Sequence, residues 1–280
     1  MVVHGREKTG VPLAINGIFG NMGIAVAALL AGLLIDTNGW RAAFVLPGII
    51  SIGCGFAYIL FIRASRSAHA AEIESGVAAK KAVAGTMTID RNLVIRTFAI
   101  IFATTAIGGF ILRSTTFALP KIFDERLMDI ANSPTSIGTY SFLVFAFAAF
   151  AQLVVGYLVD RYSIRIIFAS LAALQVVFFT VMVNLTGLPA LLVSFGFMLM
   201  VFGQIPINDV LVGRITRSEW RSRAYALRYI ITFTVAATAV PLIAWVHAEW
   251  SFDILFTVMA IGATGTFATV FFLPRAIADS

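Results

Sequence analysis

Gly156-Tyr157-Leu158-Val159-Asp160-Arg161-Tyr162-Ser163-Ile164-Arg165 is a short charged turn set between two long apolar segments. Residues 136–159 before it contain no Asp, Glu, Lys or Arg, and residues 166–183 after it contain none either. Each segment is long enough to cross a bilayer, and a backbone in hydrocarbon has to satisfy its own hydrogen bonds, which a helix does. The two segments therefore read as helices joined in a hairpin, with the turn on one membrane surface.

The rest of the chain belongs to the same class. It is 60% hydrophobic and 12% charged with a mean hydropathy of +0.94, against the roughly 25% charged content of soluble domains. The net charge of +6 does not imply nucleic acid, because the basic residues fall in short loops between apolar runs. One cysteine, Cys54, lies in an apolar segment, which excludes a disulfide framework and a thiolate metal site within the chain. No metal or cofactor is expected.

Working outward, eight spans are expected, at about 11–35, 42–62, 93–119, 136–159, 164–183, 190–212, 224–246 and 252–273. The fold class is an all-α polytopic membrane protein in contact with the lipid bilayer. Asn16 and Asn21 in the first span should face protein or a cavity. Residues 63–92 are polar and charged, cannot span, and suit a partly amphipathic surface helix. With the N-terminus inside, only Arg41, Arg113, Lys121 and Arg126 among the 20 basic residues fall on or toward the outer side. That asymmetry places both termini and the 63–92 segment in the cytoplasm of a cell with a multi-pass protein in its plasma or inner membrane.

The turn pattern G-x-L-x-D-R-x-x-x-R resembles the cytoplasmic loop signature of the major facilitator superfamily of secondary transporters, although Ser163-Ile164-Arg165 stands where that family prefers Gly-Arg-Arg. Gly39-Trp40-Arg41 followed by Phe44 and Gly48 is similar to the family's sequence between its fifth and sixth helices. An internal echo agrees with paired halves: Arg6-Glu7-Lys8 precedes the first span as Arg221-Ser222-Arg223 precedes the seventh, and Trp40 precedes the second as Trp250 precedes the eighth. The resemblance implies a partial fold of that family, helices five to twelve. Residues 1–62 would be the last two helices of the N-terminal half, 63–92 the inter-half linker, and 93–280 the C-terminal six-helix half. Four N-terminal helices would then lack a counterpart here, implying a truncated product or a reduced form that assembles with a partner chain.

The expected function is movement of a small solute by alternating access, and the alternative is a non-transporting membrane remnant or interaction subunit. His4, His69 and His247 are far apart and no nucleophile, base and carboxylate cluster shares a helix face, so an enzyme is the weaker class. Arg113 is the most unusual residue, a cation within the third span flanked by Thr104, Thr105, Ser114, Thr115 and Thr116. It should face a wet cavity, pair with an acid or snorkel outward; in a cavity it would suit an anionic solute. Ser141, Phe145, Ala148 and Gln152 share one face of the fourth span, and Phe197, Met200, Gln204 and Asn208 one face of the sixth. Arg113, Gln152, Gln204 and Asn208 are thus the candidate substrate-binding residues, against helix packing through the amides. Asp209, near Pro206, is expected to pair with Arg214 or Arg217.

Gly156, Asp160, Arg161 and Arg165 are the candidate gating residues. The family resemblance places the Asp-Arg turn of one half against a helix of the other. Asp160 is therefore expected near the start of the first span at Thr9, Gly10 and Val11, where unpaired N–H groups and the helix dipole favour a carboxylate. Arg161 and Arg165 would stay available for Glu7 or for neighbouring helix ends.

Overall fold

A computed structural model of the chain describes residues 10–76, 91–215 and 221–272. Among these residues eight helices follow in order: α1 Gly10–Asn38, α2 Ala42–Gly76, α3 Arg91–Arg126, α4 Pro134–Arg161, α5 Ile164–Met182, α6 Gly187–Ile215, α7 Arg221–Glu249 and α8 Phe252–Val270. All eight contain a stretch long and apolar enough to cross a membrane. Most run past the expected spans into flanking polar residues. The clearest case is α2, which carries helix into the first part of the 63–92 segment; residues 77–90 of that segment lie outside the described set.

Local chemistry fixes the ends. Ser133 starts α4 with a reciprocal cap: its hydroxyl accepts from the Ser136 backbone N–H at 3.1 Å, while the Ser136 hydroxyl accepts from the Ser133 N–H at 3.0 Å. Ser251 Oγ accepts from the Asp253 N–H to start α8. Pro206 is accommodated within α6 without ending the helix.

The expected hairpin at 156–165 is real in topology but is not a packed pair. α4 and α5 touch little beyond the two-residue connection Tyr162-Ser163; α4 packs on α1 and α6, and α5 on α8 and α6. The remaining close pairings are α3 with α7, α8 and α6. Two apolar cores result. The larger holds Phe145, Phe179, Phe197, Phe202 and Phe256, whose rings meet at centroid distances of 5.5–6.3 Å. The smaller gathers Val155, Val159, Ile164, Phe168, Ile207 and Val270 near the Asp160 turn.

α2 stands apart. None of its spanning window is buried, and Phe44, Ile49, Phe56 and Phe61 lie open on its surface. An apolar surface on all sides suits a helix bathed in lipid.

At the end opposite the Asp160 turn, Arg126 closes α3. Its guanidinium donates to Asp253 Oδ1 at 2.6 Å, to the Met182 carbonyl at 2.6 Å and to the Leu185 carbonyl at 3.2 Å, and lies over the Phe256 ring. Asp253 Oδ1 also accepts from the Asn184 N–H at 2.7 Å. One cation thus ties α3, the α5–α6 loop and α8, and meets carbonyls that the end of α5 would otherwise leave bare. Arg126→Ala should lower stability by about 2 kcal/mol, less than a fully buried pair because Asp253 keeps some solvent contact. Lys121→Ala, which breaks only the exposed pairs with Asp124 and Glu125, should cost about 0.5 kcal/mol or less. Unfolding of the detergent-purified variants measures both, and equal losses would deny the Arg126 tie its weight.

Candidate functional site

α1 and α4 run antiparallel in the most extensive helix contact among the described residues. The contact depends on missing side chains. A Cβ on Gly156 would come within 2.8 Å of the Gly10 carbonyl and of the Ala14 side chain, and one on Gly138 within 2.6 Å of the Ala28 carbonyl. Backbone approaches backbone here, so each end of one helix lies beside the opposite end of the other.

Both ends are closed by carboxylates. Asp160, in the last turn of α4, accepts the Gly10 N–H at 2.9 Å and the Val11 N–H at 3.2 Å, and is buried at 8% exposure. The contact expected of Asp160 at Gly10 and Val11 is therefore present; Thr9 and Glu7 lie outside the described residues. Asp36, in the last turn of α1, accepts the Thr135 N–H in the first turn of α4 at 2.7 Å. Each helix therefore lends an acid from its negative end to the unpaired donors at the positive end of its partner.

Of the two arginines of the turn, Arg165 meets a neighbouring helix end as expected, and Arg161 turns back on its own helix. Arg161 stacks over Tyr157, one turn back on its own helix, at 4.2 Å from the ring centroid. Arg165 donates to the Phe271 carbonyl at 2.8 Å, just past the end of α8, and lies over the Phe271 ring. That is the favourable position for a cation on the helix dipole.

The polar candidates within the spans separate into three places. Gln204 and Asn208 on α6, with Thr105, Gly108 and Gly109 on α3 and Thr232 on α7, line a cavity of about 70 Å³. Gln152 does not join them. It is fully buried where α4 crosses Gly17 of α1, with neither amide atom hydrogen-bonded, and Gly17 has no side chain because the amide occupies that space. Its three companions on α4 are buried, and on α6 Phe197 is buried and Met200 half-buried, so the helical spacing identified the inward faces but not which neighbour each would meet. Of the two amides of α1, Asn21 is buried against protein and Asn16 is exposed.

Arg113 occupies the third place, on α3. It is half-buried, its Nε is sequestered without a hydrogen-bond partner, and its guanidinium carbon lies 5.9 Å from the Phe117 ring centroid. No carboxylate forms an ion pair with it among the described residues. Asp209 is half-buried on α6, and the side chains of Arg214 and Arg217, with which it was expected to pair, lie outside the described residues.

A family model described as Major Facilitator Superfamily matches residues 3–130 and, separately, residues 122–279. The chain belongs to the Major Facilitator Superfamily. The chain is also 28% identical over 127 residues to a probable hexose phosphate transport protein of Chlamydia pneumoniae, a match covering 41% of this chain and 27% of that relative.

For this member of the superfamily, sequence reasoning missed three groups. Asp36 reads as part of the Asp-Thr-Asn-Gly turn; its pairing with Thr135 needs the antiparallel seam to be known. Gln175 on α5 hides in a run judged by the absence of charge, yet is fully buried and donates to Gln204 Oε1 at 2.9 Å. His247 on α7 meets Glu125 on α3 at 2.8 Å, a pairing that lies far apart in the chain. The polar atoms of Thr105, Gln152, Gln175, Gln204 and Asn208 that lack partners are a real expense, about 1–3 kcal/mol for each group so buried.

The seam can be tested directly. With spin labels replacing the exposed Ile15 and Tyr162, the inter-label distance should lengthen by several ångströms in Gly156→Leu and rise or broaden in Asp160→Asn. Distances identical to the unsubstituted protein in both variants would show that neither the glycine contact nor the carboxylate holds the two helices together.

Proposed function

We propose that this chain forms the transport body of a secondary carrier for a small organic phosphate, working by alternating access, with both termini and residues 63–92 on the cytoplasmic side. The observation that carries the substrate class is Arg113, a half-buried guanidinium in an apolar span with no acid paired to it among the described residues. A cation in that setting is costly unless an anion or water meets it, and its planar fork suits two oxygens of a phosphate. The similarity to a protein named for hexose phosphate transport supports an anionic sugar derivative.

The seam supports alternating access. Asp160 and Asp36 grip opposite ends of the same helix pair, so a rocking of α1 against α4 would release one grip while keeping the other. Gly156 would serve as the close-contact point, Asp160 as the inner latch and Asp36 as its outer counterpart. Arg161 and Arg165 would brace the turn. The observation favouring a second reading, an interaction subunit, is the bare surface of α2, which leaves room for further helices from another chain.

In proteoliposomes, uptake of radiolabelled glucose 6-phosphate should fall at least about tenfold in Arg113→Ala, as expected for loss of a charge-assisted hydrogen bond. Arg113→Lys should recover part of that loss, since it keeps charge without the fork. Normal uptake by Arg113→Ala would reject the anion role, and absence of uptake by the unsubstituted chain together with a co-purifying polytopic partner would favour the subunit reading. For orientation, Ser75→Cys on a Cys54→Ser background should resist an impermeant thiol reagent added to intact cells and react after permeabilisation. Labelling from outside would invert the topology.

A further inference from the structure

We infer that the cavity between α3, α6 and α7 is a hydroxyl-recognising subsite, taking the carbohydrate part of an organic phosphate whose anionic end is met by Arg113. This rests on the proposed function. Three polar atoms at the cavity lack partners although their residues are more than nine-tenths buried: Thr105 Oγ1, Gln204 Nε2 and Asn208 Oδ1. Together they offer an amide donor, a carbonyl acceptor and a hydroxyl that does either, which is the complement of neighbouring sugar hydroxyls.

The site is built. Gln175 donates its amide to Gln204 Oε1 from the side away from the cavity, which leaves the Gln204 Nε2 group directed at α3. There it approaches Gly108, where even a Cβ would lie only 3.4 Å from that nitrogen. Gln175 is therefore a positioning residue that holds the amide in one orientation. A cavity of about 70 Å³ exceeds the space one water needs, and suits the hydroxyl-bearing edge of a solute.

Arg113 lies on the same stripe of α3 as Thr105 and Gly109, by steps of four residues. The rise from Gly109 to Arg113 is about 6 Å, which is within the span of one small phosphate ester. Recognition would thus be divided along α3: charge at Arg113, hydroxyls one to two turns away.

Binding to the purified full chain by titration calorimetry tests this, using glucose 6-phosphate, its hydroxyl-free counterpart cyclohexylmethyl phosphate, and inorganic phosphate. The unsubstituted chain should prefer glucose 6-phosphate to the cyclohexyl ester by about tenfold or more, because an apolar ring leaves the buried polar groups unpaired. Thr105→Val, which keeps shape, and Asn208→Leu should erase that preference and leave inorganic phosphate binding unchanged. Arg113→Ala should weaken all three. If Asn208→Leu does not stay monodisperse, Thr105→Val alone decides. Binding of both esters with equal affinity by the unsubstituted chain, or an equal loss of all three ligands in Thr105→Val, overturns the subsite while leaving the anion reading intact. Failure of every anion to bind overturns both.

Discussion

A helix in hydrocarbon satisfies its own interior but not its ends, and the first turn of each span keeps N–H groups that lipid cannot serve. The α1–α4 seam answers this reciprocally. Asp160 from the end of α4 covers the start of α1, and Asp36 from the end of α1 covers the start of α4. The exchange works only if the helices are antiparallel, in register, and close enough for a carboxylate to reach backbone, which is what the glycines at 10, 32, 138 and 156 permit. The position of α1 on the bundle follows from that one constraint.

Helices α3 to α8 are held together differently. Their centre is aromatic and aliphatic, with Phe145, Phe197, Phe202 and Phe256 fully buried, and their loop end is tied by Arg126. Against that background the unpartnered amides of α4, α5 and α6 and the guanidinium of α3 are exceptions to good packing. Polar atoms left bare in a span are tolerated where something other than protein comes to meet them, so function is sought at these points and not in the phenylalanine core.

Long, predominantly apolar runs made the eight spans readable, since few other structures need so long an apolar stretch. Family resemblance made the Asp160 contact readable, because the turn carries a recognisable spacing. Other features depended on which helix lies beside which, and a one-dimensional pattern does not contain that. The spacing of Gln152 placed it on an inward face without distinguishing the α1 seam from the α3–α6 cavity. Asp36 looked like a turn residue until its partner was known, and Gln175 carries no charge to interrupt a hydrophobic run. The hairpin itself was legible as connectivity, while the divergence of α4 and α5 after two residues is decided by their separate partners.

That short connection has a mechanical meaning. Tyr162 and Ser163 leave almost no slack between the helix that ends with Asp160 and the helix that begins beside Arg165. Asp160 pulls on α1, and Arg165 pulls on the tail of α8 through the Phe271 carbonyl. In the rocking motion proposed for the chain, the turn would act as a yoke, delivering a pull at the start of α1 across the two-residue link to the far side of the bundle without passing through its apolar centre.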